Sequence, residues 1–178
     1  MVPSLDNFDV DPDIAHAWTL PAALYIDPEV FGLECDRIFS RAWQVVGHHD
    51  QLIKPGDYFT AELQGEPLLL VRGANGELRG FYNVCRHRAG PPAEGCGSRK
   101  FFRCGYHGWT YGLDGALISA PEVEAVQDFD PGQFALQTIR VDEWFNLIFA
   151  NLNANAKPLL TNLEELPRQA GRFDFASM

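Results

Sequence analysis

The chain has 178 residues, of which 46% are hydrophobic and 12% aromatic, so it can bury a substantial core and is expected to form one main domain. This composition does not favour an intrinsically disordered protein. No apolar run approaches the roughly 20 residues that a membrane-spanning helix needs, and the first residues lack the features of a secretory signal. We therefore predict a cytoplasmic protein with no membrane partner.

The formal net charge is −10, and the charges are unevenly distributed. Residues 1–36 carry eight acids and no Lys or Arg, and residues 114–143 are acidic as well. Between them, residues 85–109 carry one acid against five basic residues, which are Arg86, Arg88, Arg99, Lys100 and Arg103. A basic stretch this short in an acidic chain does not fit a nucleic-acid-binding footprint, and we predict no nucleic-acid partner.

One helix is predicted before any strand. Asp27 is a typical N-cap residue, Pro28 suits the first helical position, and apolar residues recur at helical spacing through Phe39. Cys35 belongs to this apolar stripe and is expected to face the core.

The rest of the chain reads as mainly β. Turn signals such as Pro55-Gly56, Asn75-Gly76 and Asp114-Gly115 separate short runs rich in β-branched and aromatic residues. The runs are WQVVGHH, DYFTAEL, EPLLLVR, LRGFYNV, KFFRC, WTYGL, ALIS, LQTIRV and WFNLIFANL. This spacing favours antiparallel sheets packed as a sandwich or barrel. Near the C-terminus, Thr161 and Glu164 form a capping-box pattern that predicts a short helix, which Pro167 would interrupt.

Two Cys/His pairs stand out from this background. Cys85-x-His87 is followed, after sixteen residues, by Cys104-x-x-His107. A single buried Cys or His is more often a plain core residue, but four at this spacing are not explained that way. Each pair follows a strand-like run and opens into Gly- and Pro-rich sequence. Two loops would then hold one metal group from opposite sides.

The spacing discriminates between two metal groups. Structural zinc sites usually pair Cys with Cys and His with His along the chain, whereas each loop here mixes one of each. A Rieske-type [2Fe-2S] cluster has one iron bound by two Cys and the other by two His. The arrangement therefore favours the iron cluster, with one ligand to each iron from each loop.

At this point the sequence resembles a known family, the Rieske non-heme iron oxygenases of the ring-hydroxylating type, in the N-terminal domain of their α subunit. The motifs are Cys-x-His-Arg, Cys-x-x-His-Gly-Trp and TYGLDG, and the similarity extends over residues 25–160. CRHRAGPPAEG and YHGWTYGLDGALISAPE are most similar to the branch that acts on quaternary ammonium compounds, such as choline monooxygenase and glycine betaine demethylase. The implied fold is a Rieske iron–sulfur fold with a small cluster-binding subdomain, whose loops span about residues 82–112. Residues 1–24 would be an acidic arm, and residues 161–178 the start of a catalytic domain that is truncated or absent.

The resemblance also implies the roles of individual residues. Cys85, His87, Cys104 and His107 would bind the cluster. The residues expected around them are Arg88, Gly90, Gly105, Tyr106, Gly108 and Trp109. Respiratory Rieske proteins join their two loops by a disulfide, but Cys96 has no partner beside Cys104, so we expect an unbridged site and a free Cys96 thiol. Many family members have Pro or a basic residue where this chain has Gly105.

The implied function is one-electron transfer. Electrons would come from an NAD(P)H-dependent reductase and pass through the cluster to the mononuclear iron of an oxygenase catalytic domain, in a homo-oligomer that is commonly a trimer. His48 and His49 are adjacent, so on a strand they would point to opposite faces and would not bind one ion together. With His16 in the acidic arm, no second iron site is predicted, and the chain is not expected to oxygenate a substrate alone. A stand-alone Rieske ferredoxin and a zinc-stabilised, non-redox binding module remain as alternatives.

Overall fold

A computed structural model describes residues 11–123 and 126–173, and the chain is helical near its beginning. Helix α1 spans Ala23–Ile26 and helix α2 spans Pro28–Glu34, which continues as one π-helical turn over Cys35–Phe39. The Asp27 carboxylate accepts a hydrogen bond from the Glu29 N–H at 2.8 Å, as expected for an N-cap. The predicted helix is therefore present with its predicted start.

The apolar stripe of this helix does not pack into the core. Phe31 is 61% exposed and Ile38 is 54% exposed, and neither α2 nor the π turn contains a buried residue. Cys35 is half-buried, so the expectation that it faces the core is wrong. Helical periodicity identifies the apolar face of a helix, but it does not identify which part of the protein packs against that face.

The strands form three antiparallel sheets. In the order β1-β10-β9, the first sheet contains β1 (Gln44–His48), β10 (Leu147–Asn151) and β9 (Arg140–Trp144). The second has the order β4-β3-β2-β5 and contains β4 (Leu78–Tyr82), β3 (Glu66–Arg72), β2 (Asp57–Leu63) and β5 (Cys96–Ser98). The third has the order β6-β7-β8 and contains β6 (Phe102–Arg103), β7 (Thr110–Tyr111) and β8 (Leu117–Ser119). The second Cys/His pair lies between β6 and β7 of the small third sheet, and the predicted fold class is confirmed.

Strand β3 joins two hydrophobic cores, which explains its continuous apolar run. Leu69 and Val71 face a core that lies beneath the Cys/His loops, whereas Leu68 and Leu70 face a core shared with the first sheet. Because successive side chains of a strand point to opposite faces, a strand buried on both faces needs apolar residues at every position.

Two segments differ from the sequence prediction. The run LQTIRV begins earlier than β9 because its first half pairs with β4: the Tyr82 N–H donates to the Gln137 carbonyl and the Ile139 N–H to the Gly80 carbonyl. The predicted capping box is wrong, because helix α3 (Leu159–Leu163) follows Pro158 and contains Thr161 inside it. Pro167 lies in the first turn of helix α4 (Leu166–Ala170), where its missing N–H costs nothing.

Across residues 11–123 and 126–173, no helix is long and apolar enough to cross a membrane. Residues 1–10 of the acidic arm and 174–178 of the predicted catalytic-domain start lie outside the described residues.

Candidate iron–sulfur site

The two Cys/His loops have the same backbone hydrogen bonds. In the first, the Cys85 N–H donates to the Gly90 carbonyl at 2.9 Å and the Ala89 N–H donates to the Cys85 carbonyl at 3.0 Å. In the second, the Cys104 N–H donates to the Trp109 carbonyl and the Gly108 N–H to the Cys104 carbonyl, at the same two distances. The loops are thus two copies of one turn, and each follows a strand that fixes its direction.

Both turns need a left-handed backbone at the fourth residue after the cysteine. Gly108 has φ +75°, which glycine adopts without strain, but Ala89 has φ 58°. A non-glycine residue in this region is held there at a cost by its surroundings. The hydrogen bonds of the turn supply that constraint.

The two thiols lie close together beneath the loops. Cys85 and Cys104 are each 3% exposed. Burial raises the pKa of the Cys104 thiol and the neighbouring Cys85 raises it further, although the backbone N–H groups of Tyr106 and His107 donate to its sulfur and act in the opposite direction. Two buried thiolates side by side would repel each other, so both sulfurs could be deprotonated together only with a cationic group, such as a metal centre, beside them.

The two imidazoles lie close together at the surface. The ring centroids of His87 and His107 are 4.6 Å apart, with an angle of 70° between the ring planes, and both residues are exposed. Desolvation lowers the pKa of His87, and the charges of His107 and Arg88 lower it further. A lower pKa favours the neutral imidazole, which is the form that binds metal.

Aromatic rings hold both imidazoles in place. The Trp109 ring stacks on His87 with centroids 4.9 Å apart and planes 10° apart, and the Tyr106 ring lies 4.0 Å from His107. Trp109 is only 5% exposed and contacts Phe129 and Phe134 edge-on. It is therefore a core residue that also supports one side of the site.

The glycines around the site differ in importance. A Cβ on Gly90 would lie 3.1 Å from the Cys104 sulfur, so the first loop approaches the second cysteine closely only because this residue has no side chain. A Cβ on Gly105 would meet nothing within 4 Å. A side chain at position 90 or 108 would therefore crowd its neighbours, whereas position 105 has space for one.

Tyr111 contacts the site and was missed in the sequence. Its hydroxyl lies 3.1 Å from the Cys85 sulfur and accepts a hydrogen bond from the Arg86 N–H at 3.0 Å, and the side chain is fully buried. Toward a thiolate at Cys85 the hydroxyl would be the donor, because a thiolate has no proton of its own to donate. Burial and the contact with Cys85 raise the pKa of Tyr111, so it remains a protonated donor.

The remaining candidates lie elsewhere. Cys96 is an exposed free thiol in β5, as predicted. Nδ1 of His16 lies 3.3 Å from the Asp13 carboxylate, the Nδ1 atom of His48 accepts from the Asp50 N–H, and Nδ1 of His49 contacts Glu143. These three histidines do not converge on one point.

The donor set fits a two-iron cluster better than a single ion. The sulfurs pair with each other in the interior and the imidazoles pair with each other at the surface, so the four donors form two ends. Within the described ranges, no three His, Cys, Asp or Glu side chains are placed to hold one metal ion. A tetrahedral zinc site needs four donors around one point, whereas a Rieske cluster has a sulfur end and a nitrogen end.

Comparison with known proteins agrees with this geometry. The sequence model described as "Rieske [2Fe-2S] domain" matches residues 42–130, which is half of the chain. The chain belongs to this family, and membership implies a [2Fe-2S] cluster and a role in electron transfer. The predicted family and cofactor are confirmed.

The similar proteins are oxygenases. The chain is 40% identical over 149 residues to chloroplastic choline monooxygenase from Amaranthus tricolor, covering 84% of this chain and 34% of the relative. It is 39% identical over 152 residues to the carnitine monooxygenase oxygenase subunit of Escherichia coli K12, covering 85% and 40%. These relatives confirm the predicted resemblance to the quaternary ammonium branch.

Solved structures give the same result. The quaternary ammonium Rieske monooxygenase CntA in complex with L-carnitine superposes with a TM-score of 0.83 at 34% identity, covering 88% of this chain and 45% of that chain. Naphthalene 1,2-dioxygenase from Rhodococcus sp. gives 0.80 at 33% identity, covering 86% and 36%. The chain thus spans between about a third and a half of the length of the proteins that it matches.

Proposed function

We propose that Cys85, His87, Cys104 and His107 bind the [2Fe-2S] cluster and that the chain carries single electrons for an oxygenase. The observation that carries this proposal is the pairing of thiol with thiol and imidazole with imidazole on two equivalent turns. A Rieske cluster supplies one-electron transfer at potentials between roughly −150 and +300 mV, above the roughly −400 mV of plant-type ferredoxins, because neutral imidazoles replace two thiolates. Cys85, Cys96 and Cys104 are free thiols, and for such an unbridged site the resemblance to the oxygenases implies the low end of that range.

The surrounding residues have separate tasks in this proposal. The hydroxyl of Tyr111 and the backbone N–H groups of Tyr106 and His107 donate to the cysteine sulfurs and stabilise negative charge there. Trp109, with the phenylalanines behind it, excludes water from one side of His87 and fixes its ring. The exposed edges of the two imidazoles are where electrons would enter and leave.

We further propose the route and the setting. An NAD(P)H-dependent reductase would donate electrons, and the mononuclear iron of an oxygenase catalytic domain would accept them, in a neighbouring subunit of a trimer. The route is supported by the structure of a similar quaternary ammonium Rieske monooxygenase, which gives insights into inter-subunit electron transfer in that enzyme. The similarity to choline and carnitine monooxygenases favours a quaternary ammonium substrate for the whole protein. Residues 25–160 would form the Rieske domain and residues 161–178 would begin the catalytic domain. The proposed compartment is the cytoplasm.

Serine substitutions test the ligand set. We expect Cys85→Ser and Cys104→Ser to abolish the visible absorption of the reconstituted cluster and to lower the iron and acid-labile sulfide content. The matched control is Cys96→Ser, because Cys96 is exposed on β5 and should leave the spectrum unchanged. A loss of colour in the Cys96 variant would show that the ligand assignment is wrong.

A second experiment tests electron transfer itself. The cluster-loaded protein is mixed with NADH and a catalytic amount of a Rieske-oxygenase reductase under anaerobic conditions, and bleaching of the visible absorption is followed. We expect reduction by one electron per protein. A loaded protein that is reduced by dithionite but never by any such reductase would contradict the proposed route.

A further inference from the structure

The two Cys/His turns are closed at their base in different ways. The second turn, residues 104–109, lies between β6 and β7, which pair with each other. Arg103 lies opposite Thr110, and Phe102 lies opposite Tyr111. The backbone pairing of these strands holds the two ends of the second turn together.

The first turn, residues 85–90, lacks such a ladder. In the register of the second turn, the partners of the two residues before Cys85 would be Pro91 and Pro92. Proline has no N–H, so neither residue could donate a backbone hydrogen bond across the base of the turn. Residues 83–84 and 91–92 accordingly belong to no strand. The ends of the first turn therefore need another connection.

The side chain of Asn83 makes this connection. Its Nδ2 atom donates to the Ala93 carbonyl at 2.8 Å, and its Oδ1 atom accepts from the Ala93 N–H at 3.2 Å. A side-chain amide offers the same kinds of donor and acceptor as a peptide group, so it can take the place of a paired strand residue. Both residues are buried, which keeps water from competing for these hydrogen bonds.

Both ends of the connection are also tied to the second sheet. The Asn83 N–H donates to the Pro67 carbonyl on β3 at 2.8 Å. On the other side, the Thr60 N–H on β2 donates to the Gly95 carbonyl at 2.8 Å. The base of the first turn is thus held between two neighbouring strands, and the Asn83 side chain joins the two attachments.

We infer that Asn83 is a positioning residue for the cluster, because it holds the first turn where Cys85 and His87 meet the ligands of the second turn. This inference rests on the proposed function and assigns a residue outside the ligand set. Residues that orient metal ligands determine how firmly and in what geometry the metal group is held. Ala89 adds to the need for a closed base, since its left-handed backbone would relax if the ends of the turn were free.

An aspartate substitution tests the connection with little change of shape. In Asn83→Asp, the carboxylate can still accept from the Ala93 N–H but cannot donate to the Ala93 carbonyl. The matched control is Asn151→Asp. Asn151 is also buried, and its amide donates to the Arg41 carbonyl at 3.0 Å and accepts from the Asn153 N–H at 2.9 Å. It lies on β10 in the first sheet, which carries none of the proposed ligands.

The first readout is the rate at which the loaded protein loses its cluster to excess EDTA, followed by visible absorption. If release follows local opening of the first turn, loss of one buried hydrogen bond should speed it by about tenfold in Asn83→Asp. We expect the Asn151→Asp rate to change by less than about twofold. Equal acceleration in the two variants would overturn the inference.

Circular dichroism recorded in parallel separates positioning from a merely structural role. We expect Asn83→Asp to lose its colour while its circular dichroism is retained. Colour and circular dichroism lost at the same rate would show that the residue only stabilises the fold, and the inference would be wrong. An Asn83 variant that does not fold leads to the same conclusion.

The second readout is the geometry of the ligands. Electron spin echo envelope modulation of the one-electron-reduced protein records the histidine nitrogen couplings, and the His87 coupling is the one missing from His87→Cys. Asn83→Leu removes both side-chain hydrogen bonds without adding charge, so it should change the His87 coupling and leave the His107 coupling unchanged. Asn151→Leu should change neither coupling. Unchanged couplings in Asn83→Leu would overturn the inference, whereas an unaltered protein that binds no cluster refutes the proposed function instead.

Discussion

Removal of the Tyr111 hydroxyl tests how this chain tunes its cofactor. The hydroxyl lies 3.1 Å from the Cys85 sulfur and would donate to it when the sulfur is a cluster-bound thiolate. The side chain has no exposed surface, so water cannot replace the hydroxyl readily. One-electron reduction adds negative charge, and a donor to sulfur stabilises the more negative state. Tyr111→Phe should therefore lower the reduction potential.

The size of this effect follows from hydrogen-bond energies. A hydrogen bond to a charged group contributes about 1.5–3 kcal/mol, and we take about 1 kcal/mol as the difference between the two redox states. For one electron, a factor of ten in the equilibrium constant is about 59 mV, so this difference is about 40 mV. The lost acceptor for the Arg86 N–H should lower the free energy of unfolding by about 1 kcal/mol.

Protein-film voltammetry measures the potential, and Tyr58→Phe is the matched control. Tyr58 is also buried, but its hydroxyl donates to the Glu94 carbonyl at 3.2 Å and contacts no sulfur. We expect the control to shift the potential by less than about 10 mV, since it leaves the donors to sulfur unchanged. Equal shifts in both variants, or no shift in Tyr111→Phe, would refute the proposed role of the Tyr111 hydroxyl.

Two further substitutions give clear expectations. Gly90→Ala should reduce the iron content of the purified protein, because its Cβ would lie 3.1 Å from the Cys104 sulfur. The control is Gly105→Ala, whose Cβ would meet nothing within 4 Å and which should bind a normal amount of iron. Equal iron contents in the two variants would contradict this argument. Burial alone would raise the pKa of Glu143, but its hydrogen bond and ion pair with Arg72 keep it below the ordinary value of 4.5. The carboxylate therefore stabilises the fold above about pH 4.5 and loses this effect as the pH falls through the lowered pKa. Urea unfolding should show Glu143→Gln to be about 1–3 kcal/mol less stable at pH 7 and closer to the wild type at pH 3, and a difference that does not change with pH would refute the argument.

Local signals predicted much of the fold. The runs DYFTAEL and EPLLLVR coincide with β2 and β3, because strand propensity and the turn at Gln64 and Gly65 are all encoded nearby. Strand β5 was missed because Cys96–Ser98 has no strand propensity of its own and forms by pairing with the edge of β2. A strand that depends on a distant partner leaves little trace in its own sequence.

The site shows the same division. The spacing of the four Cys and His residues predicted two loops, each with one Cys for the thiol end of the donor set and one His for the imidazole end. Tyr111 could not be predicted, because its contact with Cys85 joins residues 26 positions apart and depends on how the two loops pack together. The prediction that the apolar stripe at Phe31 packs into the core failed for a different reason. The helix is present, but its apolar face is exposed, because helical periodicity does not specify what packs against that face.

The most direct measurement is electron spin echo envelope modulation spectroscopy of the cluster-loaded, one-electron-reduced protein, prepared with ¹⁵N-labelled histidine. If Cys85, His87, Cys104 and His107 are the ligands, the unpaired spin couples to two histidine nitrogens. Replacing one imidazole, in His87→Cys, should remove one of the two couplings. Coupling to a single histidine nitrogen, or to none, in the unaltered protein would contradict the account.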